Sequence, residues 1–274
     1  MPVSQRVASR ILGELKRYKS VLAGARQRDI SESDTVVIIA DFLSDALGYN
    51  KYQHITTEFA IRGTFVDLAV RVDNDIRFLI EAKAINSELR DTHVKQAIDY
   101  GANHGIEWVV LTNGAVWRVY KIHFEKPIDK SIVCEVDILS DTRQNDDLIE
   151  CFGNLSREGF SKGSMAELLQ QKQITSKYAV ASVLISDTML NQLRRELRRL
   201  SGLNVDADVL YAALFNEVIK RELVDGDEAK NAQNLIRKLQ RSHARRRAAN
   251  NADTDADDVT EPTKHSSPVA HPSS

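Results

Sequence analysis

The sequence predicts a mixed α/β domain followed by a helical annex. Two amphipathic stretches precede a series of short apolar strands, one helical stretch interrupts that series, and helical periodicity returns from residue 187. The chain has 274 residues, of which 42% are hydrophobic, enough for one sizeable core and an appendage. We expect four segments: an N-terminal helix over 1–30, an α/β domain over 31–160, a helical annex over 161–247 and a disordered acidic tail over 248–274.

Two helices are predicted at the start of the chain. Ser31 and Ser33 are N-cap candidates for the second helix, which Gly48 ends. The first helix is expected to pack on the domain that follows it. Its apolar residues recur every three or four positions, at Val7, Ile11, Leu15, Tyr18 and Leu22.

Three strands are predicted next. The first covers 54–59, and two further apolar segments, 65–72 and 76–83, are separated by the turn-forming sequence Asp-Asn-Asp at 73–75. Two such segments around a short polar turn are typical of a β-hairpin.

The register of this hairpin decides where two acidic residues lie. If the turn centres on Asn74, the numbers of opposed residues sum to 148, so Asp67 faces Glu81 with Cβ atoms about 4.5–5.5 Å apart. An even-numbered loop would separate these two acids. Because side chains alternate along a strand, Lys83 lies on the face of Glu81, whereas the even-numbered residues of 78–82 point into a core.

A crossover and an antiparallel return complete the predicted sheet. A helix over about 91–103 leads to the strand 108–112, whose continuous apolar run is typical of a strand buried on both faces. The pair Asn-Gly at 113–114 predicts a tight turn into an antiparallel strand over 116–122. An edge strand is expected over 131–137.

The chain after the sheet is predicted to be a loop and then helices. The segment 153–164 contains three glycines and little periodicity, which predicts a loop leading out of the domain. From Asp187 onward two helical stretches end at Gly202 and Gly226, and a third runs to an arginine cluster at 245–247.

Charge is divided unevenly along the chain. The formal net charge is −2, yet residues 187–247 carry 13 Lys/Arg against nine Asp/Glu, and residues 248–274 carry one against five. The basic stretch suits a phosphate partner and the tail does not. Four arginines in it occupy two adjacent rows of one helix and predict a DNA-binding face, with a solvated helix face as the alternative. They are Arg194, Arg195, Arg198 and Arg199.

Several protein classes are disfavoured. Cys134 and Cys151 have neither CxxC spacing nor a histidine at zinc-ligand spacing, so neither a disulfide framework nor a zinc site is predicted. No apolar signal core is present, and no run approaches the roughly 18 apolar residues of a membrane span, which predicts a cytoplasmic protein without a membrane partner. No phosphate-cradling Gly-x-x-x-x-Gly-Lys-Ser/Thr stretch is present, so ATP is not expected as a partner.

The combination of Asp67 with Glu81 and Lys83 is the principal site candidate. Glu-x-Lys occurs three times, beginning at residues 14, 81 and 228, but the middle copy alone ends an apolar strand paired with another strand that carries an aspartate. Charges that interrupt an apolar run favour a functional role. The alternative is a solvated salt-bridge ladder on an open sheet face.

This arrangement resembles the PD-(D/E)xK nuclease superfamily, and more narrowly the N-terminal nuclease domain of type I restriction enzyme R subunits. The resemblance covers roughly residues 30–125. Val66 stands where the superfamily name has proline, a change the fold accepts because proline removes a hydrogen-bond donor inside a strand. The resemblance is carried by Asp67, Glu81 and Lys83, by the segment 108–114, and by Gln96 and Tyr100, which match the Gln-x-x-x-Tyr element of the RecB-like branch.

The resemblance implies a restriction-endonuclease-like fold and a metal-dependent endonuclease that hydrolyses DNA phosphodiester bonds. Asp67, Glu81 and the carbonyl of Ala82 would hold Mg²⁺, with Mn²⁺ as the alternative ion. Lys83 would orient the attacking water and balance charge in the transition state. Glu58 would complete an acidic rim, and its alternative is an exposed strand glutamate.

The residues Gln96 and Tyr100 lie four apart and therefore share a helix face. By resemblance, they reach the metal-side cleft and the substrate backbone. The structural alternative makes Tyr100 a core aromatic beside Ile98 and Gln96 a surface residue.

A second class of function stays open at this point. A catalytically silent nuclease-fold module for DNA binding or partner assembly is consistent with the absence of a motor and of a sequence-reading domain. In that case the annex would form a homo-oligomer or recruit a protein partner.

Overall fold

The computed structural model confirms the α/β class with a C-terminal set of helices. The chain divides into two compact units, Met1–Lys172 and Gln173–Ser274. A six-stranded mixed sheet flanked by helices forms the first unit, and helices form the second. The residues that the structure describes are 3–61, 64–125, 127–140 and 145–257.

The first unit opens with two helices, α1 (Gln5–Arg28) and α2 (Glu32–Asp45). The strands are β1 (Ile55–Ile61), β2 (Thr64–Val72), β3 (Asp75–Ala82), β4 (Trp108–Thr112), β5 (Val116–His123) and β6 (Asp129–Asp137). The remaining helices are α3 (Asp91–His104), between β3 and β4, and then α4 (Asn145–Leu155), α5 (Arg157–Ser161) and α6 (Ser164–Ile174).

The strands lie in the sheet in the same order as in the chain. Every neighbouring pair is antiparallel except β3 and β4, which run parallel and are joined through α3. One core cluster lies between the sheet and the helices α1, α2 and α4, and a second lies under α3. The predicted crossover, antiparallel return and edge strand β6 are therefore confirmed.

The hairpin of β2 and β3 has the predicted register for a different reason. Its turn has two central residues, Asp73 and Asn74, with φ of 53° and 69°, as the hairpin turn that needs two positive φ angles requires. Next to this turn, the numbers of the paired residues Arg71 and Ile76 sum to 147. A β-bulge, one extra residue on β3, then shifts the pairing so that the numbers of Val70 and Phe78 sum to 148. Without the bulge, the two acids would have been separated.

The N-terminal helices follow the predicted pattern. All five apolar residues of the α1 stripe are buried. Ser31 caps α2 by accepting a hydrogen bond from the Asp34 N–H at 3.1 Å. Gly48 follows α2 with φ of +79°, and a Cβ atom there would lie 3.0 Å from the Arg10 guanidinium, so both conformation and space favour glycine.

The prediction of a loop over 153–164 is wrong. The residues belong to α4, α5 and the start of α6. Their glycines allow close packing: a Cβ atom at Gly153 would lie 2.4 Å from the Val3 side chain, and one at Gly159 would lie 2.3 Å from the Gly153 carbonyl oxygen. Ser156 also caps α5 by accepting from the Gly159 N–H at 3.2 Å. Two of the three glycines therefore fit tight helix contacts, and Gly163 alone, with φ of +73°, lies in a turn.

The expectation of no disulfide is also wrong. Cys134 on β6 and Cys151 on α4 are bonded through sulfur atoms 2.04 Å apart. Both residues are buried, 5% and 1% exposed. The sheet brings together two positions that no short spacing rule connects.

The second unit is helical, although the stretch predicted to end at Gly226 is interrupted at the extended residue Ile219. Its elements are α7 (Lys177–Leu184), α8 (Asp187–Ser201), α9 (Ala207–Ala213), a π-helical turn (Leu214–Val218), a 3₁₀ turn (Arg221–Leu223) and α10 (Asp227–Asp257). Gly202 ends α8 with φ of 72°, as predicted. No helix in the described part of the chain is long and apolar enough to cross a bilayer.

The helix α10 extends past Ala248, where the sequence predicts a disordered tail. Alanines at 248, 249, 252 and 256 favour continued helix. The rest of the tail prediction, 258–274, lies outside the described residues.

The half-buried Arg10 links three helices of the first unit. The Arg10 guanidinium on α1 donates to the Ala46 carbonyl oxygen at 2.9 Å and to both carboxylate oxygens of Glu158 on α5, at 2.7 and 2.9 Å. This two-bond geometry is the strong form of the arginine–carboxylate pair. The hydrogen bond from Arg10 lowers the pKa of Glu158 below its ordinary 4.5.

We expect Glu158→Gln to lower the free energy of unfolding by about 1–2 kcal/mol at pH 7, a value reduced because the Glu158 side chain is partly exposed. Because the folded pKa is lowered, this stabilisation is fully present above the ordinary pKa of 4.5 and is lost as the pH falls through the folded value. Urea denaturation at pH 7 and at acid pH measures the difference.

Glu88→Gln is the control, since Glu88 pairs with Arg90 at a site where both side chains are more than two-thirds exposed, 77% and 68%. A Glu158→Gln effect that stays constant down to acid pH would contradict the assignment of the stabilisation to this ion pair.

Candidate functional site

Strands β2 and β3 separate at the candidate site. Their paired register ends at Leu68↔Ile80. Beyond this pair, the Ala82 N–H donates a hydrogen bond to Oδ2 of Asp67 at 2.7 Å. A side chain therefore takes the place of a backbone carbonyl as the acceptor. Asp67 and Glu81 lie one residue beyond the last pair of this register, so their predicted pairing is not part of the hydrogen-bonded ladder.

The side-chain alternation of β2 breaks at Asp67. Val66 packs in the cluster under α3, whereas Leu68, two residues along, packs in the cluster of α1, α2 and α4. A regular strand would place both on one face. The neighbouring strand β1 breaks at the same level: Glu58, opposite Asp67 in the register, has φ of +47°.

The Lys83 ammonium contacts two carboxylates. Its Nζ lies 2.9 Å from Oε1 of Glu81 and 3.4 Å from Oε1 of Glu32. The side chains of Glu81 and Lys83 are only 13% and 18% exposed. The alternative of a solvated salt-bridge ladder is therefore wrong.

The residue Glu32 was not predicted from the sequence. It is the first residue of α2, directly after the Ser31 cap, and α2 brings it to Lys83. The only sequence signal is an acid in the first helical turn. That signal is ambiguous, because acids at this position also stabilise the helix dipole.

Burial governs the ionisation of the two central acids. Burial raises the pKa of Asp67 above its ordinary value, against the lowering by the Ala82 N–H, and the charges of Glu32 and Glu58 raise it further. Burial likewise raises the pKa of Glu81, against the lowering by Lys83. The carboxylates are thus held close together in a partly dry environment that favours an added cation.

The Lys83 ammonium remains charged. Burial lowers the pKa of Lys83, but the hydrogen bond from its ammonium to Glu81 and the charges of Glu81, Glu32 and Asp67 outweigh burial and raise it. A protonated ammonium donates hydrogen bonds and accepts none. Its chemical role is therefore electrostatic rather than that of a base.

One carboxylate oxygen of the site is unsatisfied. Oε2 of Glu81 is buried and has no hydrogen-bond partner, a costly state for a carboxylate. No group of three or more His, Cys, Asp or Glu side chains within the described ranges is arranged to hold a metal ion. Mg²⁺ needs fewer protein ligands, since it commonly takes one or two carboxylates and completes its shell with water and phosphate. Asp67 and Glu81 fit that requirement.

The predicted helix residues Gln96 and Tyr100 lie on α3 and contact the first two strands. Nε2 of Gln96 donates to the Phe65 carbonyl oxygen at 3.0 Å. The Tyr100 ring packs edge-on against Phe59, with centroids 6.1 Å apart, and stacks on His104 at 4.0 Å. Burial raises the pKa of the Tyr100 hydroxyl.

Neither helix residue has a hydrogen bond to the acids or to Lys83 in the part of the chain that the structure describes. The observed positions are those of the structural alternative: Tyr100 is a half-buried aromatic, and Gln96 is an exposed residue that anchors the start of β2. Their contact with substrate stays a prediction.

The four annex arginines differ from one another. Nε of Arg194 donates to the Val205 carbonyl oxygen at 2.9 Å, and Arg199 pairs with Glu196 one turn earlier. Arg195 and Arg198 are exposed and have no ion-pair partner among the described residues. Half of the predicted DNA-binding face is therefore engaged within its own unit.

Residues 37–133 match the family model described as the type I restriction enzyme R protein N terminus. The matched range contains the five residues predicted as catalytic and confirms the resemblance. It supports a nuclease-like module in the first unit. Searches of the curated proteins and of the solved structures found no match.

We expect Asp67→Ala and Asp67→Asn to have opposite effects on stability. Alanine leaves the Ala82 N–H without an acceptor on a residue that is 0% exposed, which costs about 1–3 kcal/mol of unfolding free energy. Asparagine keeps an acceptor oxygen and removes a buried charge, so its stability stays at or above that of the native protein. Urea denaturation in EDTA measures both, and equal destabilisation by the two variants would contradict the role of this hydrogen bond.

Proposed function

We propose that the first unit is a metal-dependent endonuclease that hydrolyses DNA phosphodiester bonds with Mg²⁺, or with Mn²⁺ in its place. The observation that carries the proposal is the buried, unpartnered Oε2 of Glu81 beside Asp67 and Lys83, where two strands separate. The family match over residues 37–133 supports the same activity.

The chain's own residues would divide the work between them. Asp67, Glu81 and the Ala82 carbonyl would hold the ion, with Glu58 at the rim. When bound, the ion polarises the scissile phosphate as a Lewis acid. The Lys83 ammonium orients the attacking water and offsets the negative charge that develops on the phosphate oxygens.

In this proposal Glu32 is a positioning residue. The ammonium of Lys83 contacts Oε1 of Glu81 on β3 and Oε1 of Glu32 on α2. These two carboxylates fix the direction of the lysine side chain. An ammonium on a four-carbon stem otherwise samples many rotamers. Removal of Glu32 therefore loosens Lys83 and leaves the two proposed carboxylate ligands in place.

Gln96 and Tyr100 are proposed to act on the substrate side. Gln96 ties α3 to the carbonyl of Phe65, two residues before Asp67. Tyr100 adds a half-buried aromatic ring, and burial raises the pKa of its hydroxyl. In this proposal the two residues would contact the DNA backbone beside the acids.

DNA is the proposed partner, and the cytoplasm is the proposed location. The Cys134–Cys151 bond counts against a reducing compartment, where disulfides are rare, and it plays no part in the site. No nucleotide-driven motor is proposed, in line with the absence of a phosphate-cradling motif in the sequence.

We expect purified protein to cleave plasmid or single-stranded DNA in Mg²⁺ or Mn²⁺ and to lose at least about 100-fold in rate in Asp67→Asn, Glu81→Gln and Lys83→Ala. Lys95→Ala, an exposed lysine on α3, is the matched control and should retain activity. Gel assays measure the rates. Equal cleavage by the native protein and the three site variants would identify a contaminant and reject the proposal.

A catalytically silent nuclease-fold module is the second candidate. It is favoured by the fact that the Ala82 N–H and the Lys83 ammonium already occupy one oxygen each of Asp67 and Glu81. Isothermal titration with Mg²⁺ and Mn²⁺ separates the candidates. A folded protein that binds neither ion and cleaves no DNA is the silent module.

A further inference from the structure

The helix α10 carries an unusually one-sided charge. Between residues 229 and 252 it has no Asp or Glu. The same stretch has seven basic residues, which are Lys230, Arg237, Lys238, Arg241, Arg245, Arg246 and Arg247. The first unit, by contrast, has 22 Lys/Arg against 25 Asp/Glu, whereas residues 173–247 have 14 against nine. Positive charge is thus concentrated in residues 173–247 of the second unit.

Four of these cations form one face of the helix. An α-helix rotates by about 100° per residue, so the four basic side chains between residues 237 and 245 lie within an arc of about 100° around the helix axis. We call them the α10 basic face: Arg237, Lys238, Arg241 and Arg245. Asn234 and Ser242 lie beside them along the same groove.

The opposite side of α10 is apolar and already in contact. Ala229 and Ala232 are buried, and Leu235, Ile236 and Leu239 are half-buried. The helix packs along α7 within the second unit. Lys238, Arg241 and Arg245 therefore point away from the helix's own packing surface, whereas Arg237 at the edge of the face also lines a pocket with Asp187.

All four side chains of the α10 basic face are exposed, and none has an ion-pair partner among the described residues. Lys230, nearer the start of the helix, differs because it pairs with Asp227 at 3.4 Å. An uncompensated row of like charges costs free energy through self-repulsion. A polyanion would relieve that repulsion.

We propose that the α10 basic face binds the phosphate backbone of a nucleic acid without reading its sequence. The face spans about 12 Å along the helix, a length over which duplex DNA presents about seven phosphates on its two strands. Its side chains are cations on flexible stems, which contact phosphates rather than specify bases. This site goes beyond the proposed nuclease activity and does not depend on it.

The structure favours a nucleic acid over a membrane surface. A helix that lies in a bilayer interface buries an apolar face among the acyl chains. The apolar face of α10 already packs within the protein. An anionic bilayer is nevertheless included in the test.

The test uses the full chain in EDTA, so that cleavage cannot interfere. Fluorescence anisotropy with a labelled 30-base-pair duplex of arbitrary sequence measures affinity from low to physiological salt. The variant carries Arg237→Gln, Lys238→Gln, Arg241→Gln and Arg245→Gln. Two control variants accompany it. The first keeps the charge and carries Arg237→Lys, Arg241→Lys and Arg245→Lys. The second carries Arg6→Gln, Lys16→Gln and Arg28→Gln at exposed positions of α1.

The glutamine variant should bind at least tenfold more weakly at about 0.15 M salt. The slope of log affinity against log salt concentration should decrease in magnitude by about 3 to 4, because four phosphate contacts are removed. The lysine and α1 controls should bind like the native protein. Circular dichroism shows whether α10 is kept, and a variant with only Arg237→Gln and Arg241→Gln gives half the slope change if the full variant unfolds.

Three results would overturn the inference: no DNA binding by the native protein, an unchanged salt slope in the glutamine variant, or tighter binding to vesicles of anionic lipid than to DNA. Loss of cleavage in Asp67→Asn with intact, salt-dependent binding separates the two proposals, because it tests the nuclease site alone. Absence of cleavage by the native protein together with binding that needs the α10 basic face would reject the nuclease and keep this inference.

Discussion

The hydrogen bond from the Ala82 N–H to Asp67 is the constraint on which the site depends. Two antiparallel strands cannot separate inside a core without stranding backbone donors, and an unpaired buried N–H is costly. Asp67 supplies the missing acceptor from its side chain, at 2.7 Å. The strands can therefore part at this level without an unpaired backbone donor. An acid at this position thus satisfies the backbone through one carboxylate oxygen.

The strain of the site is carried by the neighbouring strand. Glu58 adopts a left-handed backbone conformation, rare for a residue with a Cβ atom, at the level where the alternation of β2 breaks. Residues in such conformations persist when their surroundings fix them. Here the surroundings are Phe59 and Val66, which are paired across the two strands and pack with the core under α3. The geometry of Asp67 is thus a property of two strands and not of one.

The sequence predicted the sheet and the strand register next to the two acids because both depend on local patterns. Apolar runs define the strands, and the short polar turn limits the register. Neighbouring strands in the sheet are also neighbours in the chain, so local reasoning was enough. The bulge opposite Val70 was not predictable, because a single extra residue in an apolar strand leaves no mark in composition.

Contacts between distant segments account for what the sequence could not show. Glu32 reaches Lys83 across 51 residues, and Cys134 reaches Cys151 from a strand to a helix. Gly153 and Gly159 have the same cause, because their small size fits contacts with Val3 and with the Gly153 carbonyl oxygen rather than a turn. Each of these features is set by packing, which periodicity does not record.

The pairing of Arg10 with Glu158 has a consequence for the order of folding. The strand pairs of the first unit join chain neighbours, and such contacts close short loops at low entropic cost. The Arg10–Glu158 contact closes a loop of 148 residues and needs α1, α2 and α5 already in place. We therefore expect it to form late in folding, so that its loss accelerates unfolding more than it slows folding. On that expectation this arginine contributes to the lifetime of the native state more than to the speed of reaching it.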